Sequence, residues 1–233
     1  MKRFYETVSV VEADGGFAIA LDGRPVRTPA QSPLSVPTAS LAEAIAAEWS
    51  AQEAEVKPLA MLLTRLASTA IDKVPAERER FVEELVGYSE SDLLCYRAEH
   101  PPELVARQVA SWQPLLEWVA ERHAAPLKVI QGVMPQPQPS ETIASLREAV
   151  EAHDDWRFTA LYSATTAAGS LVIALALLDG RLGADEAFDF SQLDESFQIE
   201  QWGLDAEAER RREAIRAELR AVAEFLDLYR NAG

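Results

Sequence analysis

Apolar and polar residues alternate along much of the first forty positions, which is the pattern of strands that bury one face of a sheet. Every second residue from Phe17 to Leu21 is large and apolar. The dipeptide Asp22-Gly23 comes next and favours a tight hairpin, because both central positions of that turn need a positive φ. The proline-containing segments that follow, up to Pro37, cannot donate fully to an interior ladder, so they are predicted to be short edge strands. The pattern predicts a small antiparallel sheet.

From Thr38 onward, apolar residues recur at intervals of three and four, which is the period of an amphipathic helix. The run Ser-Leu-Ala-Glu at positions 40–43 has the spacing of a capping box and predicts the start of the first helix. Helical spacing then continues almost to the end of the chain. Later helices are predicted at about Glu141–Ala152, Trp156–Leu178, Asp185–Glu200 and Asp205–Tyr229.

Prolines interrupt the helical part of the chain. Pro114 lies inside a predicted helix that opens with a pair of prolines, and it is expected to bend or interrupt that helix. The segment Gly132–Pro139 holds three prolines and is predicted to be an extended loop. Together these patterns predict an α+β fold, with a small N-terminal β-rich domain over residues 1–57 and a larger helical domain over residues 58–233.

The segment Thr159–Leu178 is open to two interpretations, because it contains twenty residues without a charge. A helix needs about 20 apolar residues to cross a bilayer, so its length alone permits membrane contact. However, its first half is rich in Ser, Thr and Gly, and no basic cluster flanks it on one side. We therefore expect a helix buried at the centre of the protein and no stable membrane insertion, with a membrane-peripheral adaptor as the alternative.

The composition excludes several classes of function. The chain has 233 residues with 22 basic and 38 acidic side chains, giving a net charge of −16 that repels nucleic acids and anionic lipids. One cysteine excludes an internal disulfide, and with three histidines it makes a zinc site improbable. The first residues have neither the apolar run of a secretory signal nor the Arg- and Ser-rich character of a transit peptide. This start predicts a cytoplasmic protein or a mature form.

Motifs for catalysis are largely missing. The sequence has no P-loop, no dinucleotide-binding glycine pattern after a strand and no nucleophile elbow. Cys95 lies in an apolar context that favours packing over reactivity, and the acid pairs at 83–84 and 194–195 are predicted to face water. The remaining enzyme hypothesis is a small cytoplasmic enzyme of unknown reaction that uses Cys95 or a site centred on His153.

The aromatic residues raise a different possibility. Trp202 ends a segment in which bulky apolar residues alternate with acids and amides, so it anchors either the core or a partner-binding groove. Arg24, Arg27 and Arg65 stand out in an acidic chain, and either pair internally with carboxylates or reach acids on a partner. The residues predicted to contact a partner are Arg24, Arg27, Trp49, Arg65, Glu195, Phe197, Gln198, Glu200 and Trp202.

Six segments in this order resemble those of one family, the assembly chaperones that bind the α subunit of the F-type ATP synthase head. They are Gly23–Pro29, Leu41–Trp49 with Gln52, Leu63–Ala67 leading to Ala70–Asp72, Asp92–Arg97, Trp112–Leu115 and Phe197–Gly203. The resemblance implies a β-rich N-terminal domain, a helical C-terminal domain, no catalysis and no cofactor. It further implies a protein partner, the unassembled α subunit, whose subunit interface the chaperone shields until the β subunit pairs with it.

On this resemblance the expected molecule is a monomer. It would act in the cytoplasm of a bacterium or in the mitochondrial matrix of a eukaryote. Neither the footprint on the α subunit nor the trigger of release follows from the sequence.

Overall fold

The computed structural model describes residues 2–132 and 136–230 and confirms the α+β class. The strands are β1 (Val8–Ala13), β2 (Gly16–Leu21), β3 (Arg24–Pro25), β4 (Ser35–Val36), β5 (Tyr96–Arg97) and β6 (Ile130–Gln131). The helices of the first half are α1 (Ala39–Ser50), α2 (Leu62–Asp72), α3 (Val74–Glu90) and α4 (Pro102–His123). The second half contributes α5 (Ser140–Glu151), α6 (Asp155–Ala168), α7 (Leu171–Leu178), α8 (Ala184–Ser191), α9 (Leu193–Trp202) and α10 (Ala206–Arg230).

The chain divides into two compact units. Unit 1 comprises Met1–Arg78, Asp154–Ala160 and Ala221–Gly233, whereas unit 2 comprises Glu79–His153 and Leu161–Arg220. Each unit therefore draws on more than one stretch of sequence. The sequence boundary expected after residue 57 stays a prediction.

The sheet of unit 1 forms as the alternation predicts. β2 lies at its centre and pairs antiparallel with β1, β3 and β4. The hairpin between β2 and β3 has positive φ at Asp22 (48°) and Gly23 (76°), as the dipeptide predicts. Helix α1 packs on β1 and β2, and Ile19 and Ile45 are fully buried in unit 1. Burial of these apolar side chains stabilises the four-stranded sheet, in which β3 and β4 have only two residues each.

Helix α1 begins earlier than the capping-box spacing predicts. The N-cap is Thr38, whose Oγ1 accepts a hydrogen bond from the backbone N of Leu41 at 3.1 Å, so the prediction of Ser40 as the cap is wrong. Thr38 also donates from Oγ1 to the carbonyl of Leu228 at 2.9 Å. The same hydroxyl thus caps α1 and ties it to the end of α10, a distant contact that local spacing cannot reveal.

Unit 2 is built around α4 and α7. Trp112 of α4 is fully buried, and its indole nitrogen donates to the carbonyl of Phe190 at 3.0 Å. All eight residues of α7 are buried as well. Helix α4 continues through Pro114, so the predicted interruption does not occur. Ala110, whose carbonyl loses its usual donor to the proline, is exposed, and water can replace that hydrogen bond.

Asp92 is a buried carboxylate that holds the start of α7 in place. It accepts hydrogen bonds from Ser170 Oγ at 2.8 Å, from the backbone N of Val172 at 3.2 Å and from that of Leu94 at 3.0 Å. Burial raises the pKa of Asp92 above its ordinary value, and these donors act in the opposite direction. The carboxylate therefore supplies acceptors to backbone groups at the first turn of α7 that would otherwise be buried without partners.

The uncharged segment Thr159–Leu178 forms two helices, so the prediction of one long helix is wrong. Gly169 has a φ of 68° between α6 and α7, and Ser170 caps α7 by accepting from the backbone N of Ile173 at 3.1 Å. The second half is buried as expected, whereas Thr166 in the first half is exposed. Within residues 2–132 and 136–230, none of the helices combines the length and hydropathy that spanning a bilayer requires.

Two further predictions are modified. The helix expected over Asp185–Glu200 is divided into α8 and α9 at Gln192, whose φ and ψ of −109° and 17° are not helical. Residues 136–139 of the predicted loop, which include Pro137 and Pro139, have no regular structure. Pro135, the third proline of that segment, lies outside the described residues.

Candidate protein-binding surfaces

Two adjoining hollows on unit 1 form an open groove, here called the Trp49 groove. The first and more apolar hollow has a volume of about 530 Å³. Its apolar walls are Val26, Leu34, Trp49, Val56, Leu59 and Met61, and its charged rim is Arg27, Arg65, Asp72 and Lys73. The second hollow has a volume of about 670 Å³ and shares Val26, Arg27 and Trp49 with the first. Phe4 and Arg24 line only the second hollow.

The Trp49 groove brings together four residues that the sequence singled out separately. Arg24, Arg27, Trp49 and Arg65 line one or both hollows, although 41 positions separate the first from the last. Sequence reasoning missed Leu59, which has 83% of its surface exposed at the edge of this groove. Leu59 lies three, four and seven positions before Leu62, Leu63 and Leu66, a helical spacing that predicts burial. It is exposed because the chain forms a short 3₁₀ helix at Pro58–Ala60 and α2 begins only at Leu62.

The carboxylates of the groove are engaged within the protein. Asp72 accepts from Thr28 Oγ1 at 2.7 Å and from the backbone N of Ala30 at 2.9 Å. Arg27, in contrast, donates from Nη1 to a backbone carbonyl, that of Gln31, at 2.6 Å. A carbonyl does not neutralise a guanidinium, so the rim keeps positive charge in an acidic chain.

Glu48 holds the walls of the Trp49 groove in position. Its carboxylate accepts from the backbone nitrogens of Leu63 and Thr64, both at 2.8 Å, and from Thr64 Oγ1 at 2.7 Å. A negative side chain at a helix N-terminus satisfies backbone donors and complements the helix dipole. Glu48 precedes Trp49 on α1, so this contact fixes the tryptophan-bearing end of α1 to the start of α2.

A second surface lies on unit 2 at the end of α9, here called the Trp202 surface. It is formed by Trp202 and Leu204 together with Glu195 and Gln198, which lie three and four positions apart from one another and from Trp202 along one face of α9. Glu200 lies on another face of α9, where it pairs with Arg107. Trp202 has 82% of its surface exposed and Leu204 has 46%, so the interpretation of Trp202 as a core anchor is wrong. Helix α9 ends at Trp202, and the following Gly203 has a φ of 87°, a value that favours glycine.

Phe197 lies beneath the Trp202 surface and is not part of it. Its ring is buried, and the guanidinium of Arg107 lies over it at 5.2 Å from the ring centre. Arg107 also bonds Glu200 at 2.7 Å and Glu103 at 2.8 Å. These acids raise the pKa of Arg107, and the arginine lowers the pKa of Glu200. Because its ring is buried, Phe197 is not placed to contact a partner as predicted, and it instead supports the end of α9 from within unit 2.

The acid on the Trp202 surface is paired within the protein. Glu195 bonds Arg211, and Gln198 is exposed. Asp205 follows the surface and caps α10 by accepting from the backbone nitrogens of Glu207 and Ala208. An exposed tryptophan within a polar rim has the composition of an interface hot spot.

The environment of Cys95 is that of a packed thiol. Cys95 is fully buried, and its burial together with nearby Asp92 raises the pKa of its thiol to about 12. A nucleophilic cysteine needs an accessible thiolate, which this environment opposes. His153 is half-buried, and in the part of the chain that the structure describes there is no group of three His, Cys, Asp or Glu side chains placed to hold a metal ion.

We expect Cys95 to react slowly with iodoacetamide in the folded protein and at the rate of an ordinary thiol after denaturation, because only unfolding exposes the sulfur. Above about pH 9 the unfolded chain releases the thiol proton, whereas the folded protein keeps it up to about pH 12. The free energy of unfolding should consequently fall as the pH rises through this range. Alkylation followed by mass spectrometry checks the first expectation, and rapid modification of the folded protein would contradict it.

The chain is similar in sequence to known proteins over most of its length. The family model described as "ATP12 chaperone protein" matches residues 2–120. The chain is 25% identical over 214 residues to mitochondrial Protein atp12 of Schizosaccharomyces pombe, covering 87% of this chain and 74% of that protein.

Solved structures extend the similarity to the whole fold. Atp12 from Paracoccus denitrificans has 41% identity and a TM-score of 0.90, covering 98% of each chain. The Atu1473 protein from Agrobacterium tumefaciens has the same identity and a TM-score of 0.91, covering 97% of this chain and 85% of that one. With a family model over half of its length and these relatives over nearly all of it, the chain belongs to the ATP12 chaperone family.

Proposed function

We propose that this protein is an assembly chaperone of the F-type ATP synthase that binds the unassembled α subunit. In this role it covers the surface of the α subunit that later pairs with the β subunit, and it leaves when that pairing forms. The observation that carries the proposal is the exposed Trp202, which lies in an acidic and amide-containing rim on a member of a chaperone family. The six sequence segments that resemble α-subunit chaperones support the choice of client.

The physical need for such a protein follows from the client. A subunit that will be buried in an oligomer exposes apolar surface before assembly, and that surface favours aggregation. A chaperone must cover the surface and yet yield to the final partner. A few aromatic anchors within a polar rim give specific binding from a small contact area, so that a larger and more apolar subunit interface can displace them.

The charge of the chain supports the same role. A net charge of −16 keeps the chaperone soluble while it holds an aggregation-prone client. Acidic residues around Trp202 would also steer basic patches of the client toward the surface, which raises the association rate more than the affinity. We propose a one-to-one complex with monomeric chaperone, formed in the bacterial cytoplasm or, for a eukaryotic protein, in the mitochondrial matrix. The fungal relative is mitochondrial by its name.

A binding experiment with isolated subunits tests the proposal. Tagged chaperone is mixed separately with purified α subunit and with purified β subunit, and the captured protein is quantified without nucleotide. We expect capture of α in a one-to-one ratio and only background capture of β. Equal capture of both subunits, or failure to retain α, would reject the α-subunit assignment.

A further inference from the structure

We propose that the Trp49 groove binds an extended segment of the client in which a carboxylate is flanked on both sides by apolar side chains. This inference rests on the proposed function, because it names the chemistry of the client segment that unit 1 would recognise. It concerns a surface distinct from the Trp202 surface, and the evidence for it is the shape, the lining and the charge of the groove.

The lining of the groove favours apolar side chains. The main hollow has about 530 Å³, within the range of clefts that enclose ligands, and its walls are predominantly aliphatic and aromatic. Leu59 at its edge is 83% exposed, held on a short 3₁₀ helix over Pro58–Ala60. Covering this leucine and the wall behind it removes apolar surface from water, which favours binding in proportion to the area covered.

The rim of the groove favours a negative group. Arg27 and Lys73 contribute two positive charges to this rim and Asp72 contributes one negative charge, whereas the whole chain has a net charge of −16. Arg65 also lines the rim and interacts within the protein. Asp72 is already bonded to Thr28 and Ala30, so its acceptors serve the loop of unit 1. A positive rim around an apolar cleft in an otherwise acidic protein is complementary to an acidic, apolar ligand.

The arrangement of the two hollows sets the order of groups in the ligand. Arg27 and Trp49 line both hollows, so they lie where the two meet. Phe4, which is 63% exposed, adds apolar surface to the second hollow, where Arg24 and Asp22 contribute one charge of each sign. Asp22 accepts hydrogen bonds from the backbone nitrogens of Glu6 and Thr7, so its oxygens are engaged within unit 1. A carboxylate at Arg27 therefore leaves one apolar hollow on each side. A ligand bound in an extended conformation along the groove can place one apolar side chain in each hollow.

A second copy of the chain is disfavoured as the occupant. Two molecules that each have a net charge of −16 repel one another at ordinary ionic strength, and the repulsion opposes self-association. A short acidic segment of a client carries much less charge than a second copy of the chain, so it meets a smaller repulsion. The occupant to which the groove is complementary is consequently a foreign acidic and apolar segment.

The test uses full-length protein and two kinds of probe. The first is a designed extended peptide with acidic residues between leucine and phenylalanine, compared with the same peptide in which amides replace the carboxylates. The second is the full-length α subunit. The groove variant combines Arg27→Glu with Lys73→Glu, and its matched control combines Lys128→Glu with Arg181→Glu, two exposed cations of unit 2. Leu59→Asp provides an independent variant at a position too exposed to affect folding.

We expect the wild type and the matched control to bind the acidic peptide equally, and the amide peptide to bind at least about 10-fold more weakly. The groove variant and Leu59→Asp should each weaken binding of the acidic peptide and of the α subunit by about 10-fold or more. Equal binding of the acidic and amide peptides, or unchanged affinity of both variants, would overturn the inference.

The two probes separate this inference from the proposed function. If the wild-type protein fails to bind the α subunit, the proposed function is wrong. The α subunit is then also excluded as the client of the groove, whatever the peptide binding shows. If the wild type binds the α subunit and the groove variants bind it equally well, the proposed function stands and the inference about the groove is wrong.

Discussion

Replacing Asp92 with alanine is expected to lower the free energy of unfolding by about 3 to 5 kcal/mol, because each buried donor left without an acceptor costs about 1 to 3 kcal/mol. The carboxylate serves Ser170 and the backbone nitrogens of Leu94 and Val172, and all of them are buried. Asparagine retains one carbonyl oxygen and should lose less stability than alanine.

Urea unfolding followed by circular dichroism measures this loss. The matched control is Asp185→Ala, since Asp185 is an exposed carboxylate paired with Arg220 at 2.8 Å. Exposed ion pairs contribute about 0 to 1 kcal/mol, so the control should remain close to the wild type. Similar unfolding free energies for the two alanine variants would show that Asp92 does not hold the start of α7.

Replacing Trp202 with alanine is expected to weaken binding of the α subunit by about 30-fold or more, since truncation of a hot-spot residue costs about 2 kcal/mol or more. Trp202 is 82% exposed, so the same substitution should leave the free energy of unfolding within about 0.5 kcal/mol of the wild type. Phenylalanine at this position keeps most of the apolar area and should retain much of the affinity.

The control for Trp202 is Val129→Ala, which truncates another exposed apolar residue of unit 2 that lies outside the proposed surface. Its affinity for the α subunit should equal that of the wild type. Isothermal titration calorimetry gives the affinities, and thermal unfolding gives the stabilities. Retained affinity in Trp202→Ala would remove the Trp202 surface from the binding site, and a large loss of stability would assign Trp202 a structural role.

Features determined by neighbouring residues could be predicted from the sequence. The hairpin at Asp22-Gly23 depends only on the φ preferences of two residues, and both have the positive φ that was expected. The alternation around Ile19 predicts a sheet with one buried face, and Ile19 is fully buried. The α+β class follows from the same local periodicities.

Features determined by distant residues could not be predicted in the same way. Ser170 begins a new helix because Asp92, far away in sequence, accepts from its hydroxyl and from the next turn. Thr38 rather than Ser40 caps α1, and its hydroxyl also donates to Leu228. Ser40 Oγ donates to the same carbonyl at 3.0 Å, so the contact with α10 supports this end of α1 without choosing its cap. At α7 the bonds to Asp92 add to the local effect of Gly169 and Ser170.

The sequence could predict which residues suit a binding surface, but it could not predict which of them lie together. Arginine in an acidic chain and tryptophan near helix ends led to Arg27, Arg65, Trp49 and Trp202, but only the fold places the first three around one groove. Burial was the main unknown. Phe197 and Trp202 are five positions apart in one helix, and the ring of the first packs under Arg107 while the second is exposed.

The central claim is that this protein protects the unassembled α subunit from aggregation, and light scattering tests it most directly. Purified α subunit is diluted from denaturant with increasing chaperone, without nucleotide, and an unrelated protein of similar charge serves as the control. The account predicts that scattering falls to the baseline near one chaperone per α subunit, and that adding β subunit then releases the chaperone. Scattering that stays unchanged at a molar excess of chaperone would contradict it.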